Sequence, residues 1–227
     1  MVDFKGSHHP KEVILYAVFF YVRYAVSYRD FEEIMAERGV NLDHATLNRW
    51  VVKYSPLIAV QARRCKSKPS GSWRMDETYI KVKGKWMYFY HAVDKHGKTL
   101  NFMLSEHRAE AAATDFFART IENNGWPDKV VIDKSGAILA GLQNMNLLLL
   151  LQGWFWPIEM CQVKYLNNII GQDNRFIKTL TRPMKSFKSF NYASATLDGI
   201  EVAHMIRKQQ FLTGGQSAFQ QFAALAA

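Results

Sequence analysis

Residues 72–80 read SWRMDETYI, and this stretch decides how the rest of the chain is interpreted. Strand-forming and aromatic residues surround an acidic pair, Asp76 and Glu77. Because an ionised side chain is disfavoured inside a β-strand, the charge of Asp76 needs a cation, a metal ion or several hydrogen-bond donors beside it. Asp76 is therefore either a member of a structural ion pair or part of a metal site.

The sequence around and after this stretch predicts a sheet with helices. Three strand-like runs are separated by KGK and KHGK, whose glycines favour tight hairpins, so an antiparallel three-stranded meander is expected. The apolar run 129–132 predicts a buried fourth strand that leads directly into Asp133. The predicted strands are 73–82, 86–93, 99–104, 129–132 and 157–164, and the predicted helices are 109–124, 136–151, 167–178 and 191–210.

Upstream, the apolar spacing and the capping residues predict three helices, at 11–24, 28–38 and 44–53. The last two resemble a helix-turn-helix, whose second helix would lie in the major groove of DNA. A plain three-helix bundle with a solvated polar face is the alternative. We expect residues 59–71 to be a basic linker at the domain boundary. The candidate DNA-binding residues of these two segments are His44, Thr46, Asn48, Arg49, Lys53, Arg63 and Arg64.

Composition narrows the class of protein. Of the 227 residues, 48% are hydrophobic, so the chain can bury a sizeable core. Lys and Arg number 29 against 20 acidic residues, and the net charge of +9 suits a partner made of phosphates, with an RNA- or ribosome-associated protein as the alternative to a DNA-acting one. Cys65 and Cys161 lack disulfide or zinc spacing, which favours a cytoplasmic protein. The leucine run 147–151 is far shorter than the roughly 20 residues of a membrane span, and we expect it in the core.

Asp76 and Asp133 are acidic groups on strands that we expect to be neighbours. Two carboxylates about 4 Å apart repel each other by roughly 4 kcal/mol at an effective dielectric constant near 20. A bound divalent cation relieves this repulsion, and oxygen ligands of this kind suit Mg²⁺. Together with the basic chain and the helix-turn-helix, this pattern predicts phosphodiester chemistry on DNA.

Several blocks in fixed order carry a family resemblance. They include SYRDFEEIMAERGVNLDHATLNRWV, WRMDETYIKVKGKWMYFYHAVDKHGKTL, VIDKSGA, KYLNNIIGQDNRFIK and SFKSFNYASATLDGIEVAHMIRK. From Phe4 to Phe211 the chain resembles the bacterial DDE transposases of the insertion-sequence six family. The resemblance implies a helix-turn-helix followed by a ribonuclease-H-like catalytic domain. It also implies binding to terminal inverted repeats and target DNA, a two-ion Mg²⁺ site, and a cytoplasmic bacterial protein that is at least a dimer in its synaptic complex.

The resemblance also assigns site residues, and one of them departs from the family. The first two catalytic acids fall on Asp76 and Asp133, which would be metal ligands, but the third acid, a glutamate in the family, falls on Gly171. Position 174 is Asn where the family has His. Lys178 matches a basic residue of the family, and with Arg175 it is a candidate DNA contact. Asp173 and Glu159 are weaker candidates for the missing acid, since Asp173 lies about 200° around a helix from position 171.

The combined prediction is an α+β/α/β protein. It has a helix-turn-helix domain at 1–58, the linker at 59–71, a ribonuclease-H-like DDE domain at 72–211 and a loosely attached, low-complexity tail at 212–227. The predicted function is an insertion-sequence transposase whose Mg-dependent strand cleavage and transfer are impaired by Gly171. The alternative is a catalytically inactive DNA-binding relic, or an inhibitor of an intact transposase. We expect no membrane partner, and we expect Trp86, Tyr88 and Tyr90 to be core residues rather than stacking platforms.

Overall fold

The computed structural model describes residues 2–132, 136–151, 153, 157–162, 168–184, 187–212 and 214–227. Asp133, predicted to end the fourth strand, lies outside them. The chain forms two compact units. A helical unit contains residues 1–67, 82–84 and 177–227, and a sheet unit contains residues 68–81 and 85–176.

The sheet has five strands in the order β3-β2-β1-β4-β5. They are β1 (Ser72–Val82), β2 (Lys85–Asp94), β3 (Thr99–Ser105), β4 (Lys129–Ile132) and β5 (Glu159–Gln162). Lys83 and Gly84 alone join β1 to β2, with φ angles of 49° and 79° that suit a two-residue hairpin turn, so these strands are antiparallel. β2 pairs antiparallel with β3, whereas β4 pairs parallel with both β1 and β5. The predicted ribonuclease-H-like arrangement, a meander extended by further strands and flanked by helices, is confirmed.

Three helices accompany the sheet: α4 (Glu110–Asn124), α5 (Gly136–Leu151) and α6 (Asn168–Thr181). Trp73 and Tyr90 from the sheet pack with Phe116 and Phe117 of α4 in a continuous apolar core. The prediction that the leucine run 147–151 is buried is wrong. Leu149 is buried, but Leu147, Leu148, Leu150 and Leu151 are exposed, because a helix turns successive side chains to different faces and α5 packs through one of them.

The helical unit contains α1 (Lys11–Arg23), α2 (Tyr28–Glu37), α3 (His44–Cys65), a 3-10 turn (Arg182–Met184), α7 (Phe190–Arg207) and α8 (Ala218–Ala224). The predicted caps are present: Ser27 and Asp30 form a capping box on α2, and the carboxylate of Asp43 accepts hydrogen bonds from the first amides of α3. None of the helices in the described parts of the chain has the length and apolar character needed to cross a membrane.

Helix α3 is longer than the sequence predicts. It continues through Pro56 to Cys65, so residues 59–65 are helical and not part of a linker. A proline inside a helix costs about 3 kcal/mol, and burial of Ile58, Ala59 and Ala62 on the far side of Pro56 outweighs that cost. The expected linker between domains is therefore shorter than 59–71.

Helix α7 belongs to the helical unit and not, as the predicted 72–211 domain has it, to the sheet unit. It is buried nearly all round and packs against α1 and α3. Gly199 lets the helices approach closely: a Cβ at this position would lie 2.6 Å from Cγ1 of Val22 and 2.8 Å from Oγ of Ser55. Side-chain volume along the whole of α7, rather than one apolar stripe, therefore ties it to the N-terminal helices.

The prediction of a loosely attached tail at 212–227 is also wrong for most of that segment. α8 begins with a capping box formed by Ser217 and Gln220, and it packs against α1 and α7. Phe222 is fully buried and lies 5.3 Å from Phe19, measured between ring centroids. The alanine-rich composition suggested low complexity, but one aromatic residue per helical turn is enough to anchor the segment.

Candidate active site

Asp76 lies in the middle of β1, half-buried, and hydrogen-bond donors surround its carboxylate. Oδ1 accepts a hydrogen bond of 2.8 Å from the backbone amide of Glu77. Oδ2 accepts one of 2.8 Å from Nδ2 of Asn174, on α6. Donors directed at an ionised carboxylate stabilise its charged form, which is one of the three solutions that the sequence demands for Asp76.

Asn174 is held in turn by the buried ring of His91, which also lies near Asp173. Nδ1 of His91, on β2, lies 3.4 Å from Oδ1 of Asn174, and Nε2 of the same ring lies 3.7 Å from a carboxylate oxygen of Asp173. The amide nitrogen of Asn174 points at Asp76, so its oxygen is the atom that faces the His91 ring. β2 and α6 thus fix the amide group that orients Asp76.

Gly171 lies on α6 three residues before Asn174. Residues three apart lie on the same face of a helix, so position 171 faces the same side as the amide that reaches Asp76. A Cβ added at Gly171 would meet no atom of the described residues within 4 Å, in contrast to Gly199. Contacts with the described residues therefore do not require glycine here.

The two weaker candidates for the third acid lie elsewhere. Glu159 pairs in register with Lys129, which pairs with Ser72, so it lies four residues, or about 13 Å along the sheet, from the row of Asp76. Its carboxylate is exposed and forms an ion pair of 2.9 Å with Nζ of Lys129. Asp173 is buried beside His91. Neither position supplies what Gly171 lacks.

Glu77 follows Asp76 in β1, but its side chain contacts a different group. Its side chain is 3% exposed, and Oε1 lies 3.0 Å from Nε of Arg108. Burial raises the pKa of the Tyr90 hydroxyl to about 12, and the nearby negative charge of Glu77 is the second cause of this rise. Since Tyr90 packs with Phe116 of α4, while Asp76 accepts a hydrogen bond from Asn174 of α6, Glu77 and Asp76 have separate partners.

These residues decide how well the site suits a divalent metal ion. The half-buried carboxylate of Asp76 is the kind of hard oxygen donor that Mg²⁺ prefers. Gly171 offers no side-chain oxygen, and Asp133 lies outside the described residues, although Ile132, just before it in sequence, pairs with Met75, just before Asp76. The described part of the site thus fits one carboxylate ligand and leaves the third position without a donor.

The candidate DNA-binding residues of the first half of α3 lie on its exposed side, and several already contact neighbours. Nδ1 of His44 lies 3.0 Å from Glu32 and 3.3 Å from Asp43, so two carboxylates surround the ring. Nη2 of Arg49 donates to Oγ1 of Thr46 at 2.6 Å. In addition, Asn48 accepts a long hydrogen bond of 3.5 Å from Tyr28, and Nζ of Lys53 lies 4.9 Å from the centre of the Tyr54 ring.

Arg63 lies in α3 and not in a linker, and its guanidinium contacts acidic side chains of α7. It forms ion pairs with Asp198, at 2.6 Å, and with Glu201, both on α7. Glu201 is fully buried, so its carboxylate requires this cation. Arg64, the next residue, is exposed, as are Arg175 and Lys178 on α6, and these three stay candidate DNA contacts.

The sequence contains a signal for one part of this arrangement, the position of Asn174. Asn174 counted only as a departure from the family, yet an Asn three residues after position 171 shares its helix face and can reach the same carboxylate. His91 lies in a strand among aromatic residues and carries no spacing signal of its own. Its role depends on the distance between β2 and α6, which the sequence does not reveal.

Comparison with known proteins gives consistent similarities. Residues 70–210 match the family described as the DDE domain, in its IS240 transposase form. The chain is 40% identical over 207 residues to the transposase for the insertion sequence-like element IS431mec of Staphylococcus aureus, covering 91% of this chain and 89% of that protein. The transposase for insertion sequence element IS257 in transposon Tn4003, also from S. aureus, shows the same identity and coverage.

Among solved structures, the chain is similar to retroviral integrase cores. The catalytic core domain of HTLV-2 integrase in complex with magnesium has 14% sequence identity and a TM-score of 0.48, over 68% of this chain and 97% of that one. The catalytic core domain of BIV integrase has 14% identity and a TM-score of 0.46, over 68% of this chain and 95% of that one.

Proposed function

Because this chain belongs to the DDE transposase family of insertion sequences, we propose that it binds the terminal inverted repeats of its element and carries a Mg-dependent strand-transfer site impaired at Gly171. The family makes it a DNA strand-transfer enzyme by descent. Asp76, Asp133 and position 171 are the three acid positions of this site. The protein acts in the bacterial cytoplasm as at least a dimer, on inverted repeats and target DNA.

The observation that carries the proposal is the relation between Asp76 and α6. Asn174 of α6 donates a hydrogen bond of 2.8 Å to Asp76, and Gly171 lies on the same helix face, where an added Cβ would meet no described atom within 4 Å. A glutamate at position 171 would therefore project toward the carboxylate of Asp76. The chain has the scaffold for a third acid and lacks the acid itself.

The reaction is an in-line displacement at phosphorus, in which a water or a 3′ hydroxyl attacks and the opposite P–O bond breaks. Two Mg²⁺ ions, when bound, stabilise the attacking and the leaving oxygens. Asp76 and Asp133 would hold them, and Asn174 keeps one oxygen of Asp76 fixed. Fixed ligands are needed because a misplacement of about 1 Å costs on the order of 100-fold in rate. Without a carboxylate at position 171, we expect the rate to fall by orders of magnitude.

The helical unit supports the DNA-binding part of the proposal. α2 and α3 are joined by a short turn, and Thr46, Asn48 and Arg49 lie in the first turns of α3, where a recognition helix contacts bases and phosphates. His44 is the weakest of these candidates, since the carboxylates beside it oppose contact with a phosphate. The exposed cations Lys53, Arg64, Arg175 and Lys178 are proposed to contact the DNA backbone.

Gly171 also supports a second function. A chain that binds inverted repeats but does not cut them would occupy the ends of the element and inhibit an intact transposase. Both functions require DNA binding whose affinity falls steeply with salt concentration. They differ in whether purified protein with Mg²⁺ joins DNA ends to a target.

The test uses the purified chain with duplexes that carry the terminal repeats of its element. Slow, Mg-dependent strand transfer that disappears in the Asp76→Ala variant supports the impaired transposase. Binding to the repeats without any strand transfer supports the inhibitor. Strand transfer as fast as that of a chain with three acids, or a rate unchanged by Asp76→Ala, contradicts the proposed site.

A further inference from the structure

The exposed end of the hairpin formed by β1 and β2 carries aromatic and basic side chains together. We propose that this surface binds unpaired nucleotides of DNA. We call it the hairpin surface, and it consists of Tyr79, Lys81, Trp86 and Tyr88. The proposal deepens the proposed function and rests on its claim that DNA is the ligand of this chain.

The hairpin surface continues a row of aromatic residues that starts in the core. Tyr90 is fully buried, with its ring centroid 5.6 Å from that of Phe116 on α4. Two residues earlier in β2, Tyr88 is half-buried, and two residues earlier again, Trp86 is 63% exposed. The prediction that Trp86 is a core residue is therefore wrong. Side chains two apart in a strand share a face, so the row runs from the part of the sheet that α4 covers to a part where the indole is open to solvent.

Cross-strand contacts hold the exposed rings in place. The ring centroids of Tyr79 and Tyr88 lie 5.5 Å apart in an edge-to-face arrangement. Nζ of Lys81 lies 5.7 Å from the centre of the Trp86 ring. Such pairs each contribute a fraction of a kcal/mol, and they present the rings on a strand pair joined by a two-residue turn. The rings are therefore ordered before any ligand arrives.

The chemistry of the hairpin surface matches that of single-stranded nucleic acid. Lys81 is an exposed cation beside the Trp86 ring, and the net charge of the chain is +9. Glu77, on the same strand, is 3% exposed and paired with Arg108, so it adds little negative charge. Aromatic platforms flanked by cations bind unpaired bases by stacking and their phosphates by attraction. Bases inside a duplex are already stacked, so the ligand is an unpaired end or a single strand.

A second protein surface is the other ligand class to consider. Lysine is depleted in the cores of protein interfaces, where aromatic residues are surrounded by apolar groups. The contact beside the Trp86 ring is the ammonium group of Lys81, so the surface around the indole is charged rather than apolar. Charge complementarity therefore favours DNA over a protein partner.

The experiment compares two DNA probes of equal length, a dye-labelled oligothymidylate and a blunt duplex, by fluorescence anisotropy with the full chain. Trp86→Ala should weaken binding of the oligothymidylate by about tenfold or more, with a much smaller effect on the duplex. Trp86→Phe keeps a stacking ring and should stay within about threefold of the parent. Trp126→Ala is the matched control, since Trp126 is 49% exposed in the same unit.

A second variant tests the charges of the hairpin surface. Lys81→Gln should lower the slope of log affinity against log salt for the oligothymidylate by about 0.7, the value expected for one lost phosphate contact with a single strand. Thermal unfolding of each variant should match the parent, because both side chains are exposed. A change in oligomeric state in Trp86→Ala, measured by sedimentation without DNA, would assign the surface to a protein partner and overturn the proposal.

The inference and the proposed function fail in different ways. Equal affinity of Trp86→Ala and the parent for the oligothymidylate, or an equal loss in Trp126→Ala, overturns the hairpin surface even if strand transfer is observed. Absence of strand transfer and of inverted-repeat binding overturns the proposed function, while a Trp86-dependent affinity for the oligothymidylate still supports the hairpin surface.

Discussion

Replacing Arg63 by Met tests whether the buried ion cluster of the helical unit is structural. The variant leaves the carboxylate of Glu201, which is fully buried, without the cation that contacts it. Removing one partner of a buried ion pair typically costs 3–5 kcal/mol, a large part of the 5–15 kcal/mol that stabilises an ordinary domain. For a chain of this length, about 4 kcal/mol corresponds to a fall of roughly 10 °C in melting temperature.

The assay is thermal unfolding of the full chain together with its affinity for duplex DNA. The double variant Arg63→Met/Glu201→Met removes both charges and should recover most of the lost stability, since an apolar pair of similar volume fits the space. Arg64→Met, which changes the exposed neighbour, should leave the melting temperature unchanged and weaken DNA binding. A melting temperature within about 2 °C of the parent, with a loss of DNA affinity in Arg63→Met, would refute the structural role and restore Arg63 as a DNA contact.

Three further predictions concern other parts of the chain. Burial lowers the pKa of Lys66 from 10.5 to about 8, so between these pH values the unfolded chain binds more protons than the folded chain. The free energy of unfolding should therefore rise with pH across this window by roughly 1–3 kcal/mol. Urea titrations from pH 7 to 10.5 should show this rise in the parent and not in Lys66→Met. Phe222→Ala should lose about 3–5 kcal/mol of stability in urea or thermal unfolding, whereas Leu212→Ala, at a 97% exposed position, should lose almost none. Equal losses in the two variants would argue against anchoring by α8. Asn174→Leu should weaken Mn²⁺ binding, measured by calorimetry, by about 10–100-fold, while Asn174→His should retain most of the affinity. An unchanged Mn²⁺ dissociation constant in Asn174→Leu would mean that the amide does not orient Asp76.

The elements with strong local signals could be predicted from the sequence. The meander followed from glycines at hairpin turns, and α2 from a capping box that the structure contains. The order of the strands was not predicted, because it depends on pairings between segments distant in the sequence. Predictions failed where a local signal and the tertiary environment disagree. Pro56 marks a helix boundary in isolation, but packing carries α3 past it to Cys65.

The tail and the leucine run both show that composition alone does not predict which side chains are buried. Residues 212–227 look dispensable by composition, yet Phe222 fills a space in the helical unit. The leucine run 147–151 looks like core, yet four of its five side chains are exposed, because α5 packs through one face only. Composition reports how much apolar surface a segment has, and not which face finds a partner.

The candidate site divides in a similar way. Asp76 could be found from its sequence environment alone, since a carboxylate in a strand requires compensation. The roles of Asn174 and His91 could not, because they depend on distances between β2, β1 and α6. Arg63 was misassigned because its partners, Asp198 and Glu201, lie more than 130 residues later in the chain, at sequence separations of 135 and 138.

The central claim is that the site on β1 and α6 lacks only the carboxylate of position 171. The most direct measurement is the rate of Mg-dependent strand transfer by Gly171→Glu, beside the parent chain and Gly171→Gln, which has the same shape without the charge. Glu has a higher helix propensity than Gly, and a Cβ at position 171 would meet no described atom within 4 Å, so we expect the substitution not to destabilise α6. We expect the Glu variant to exceed both the parent and the Gln variant by orders of magnitude, and to lose that gain when Asp76→Ala is added. Equal rates in the Glu and Gln variants, or a parent chain already as fast as the Glu variant, would contradict the claim.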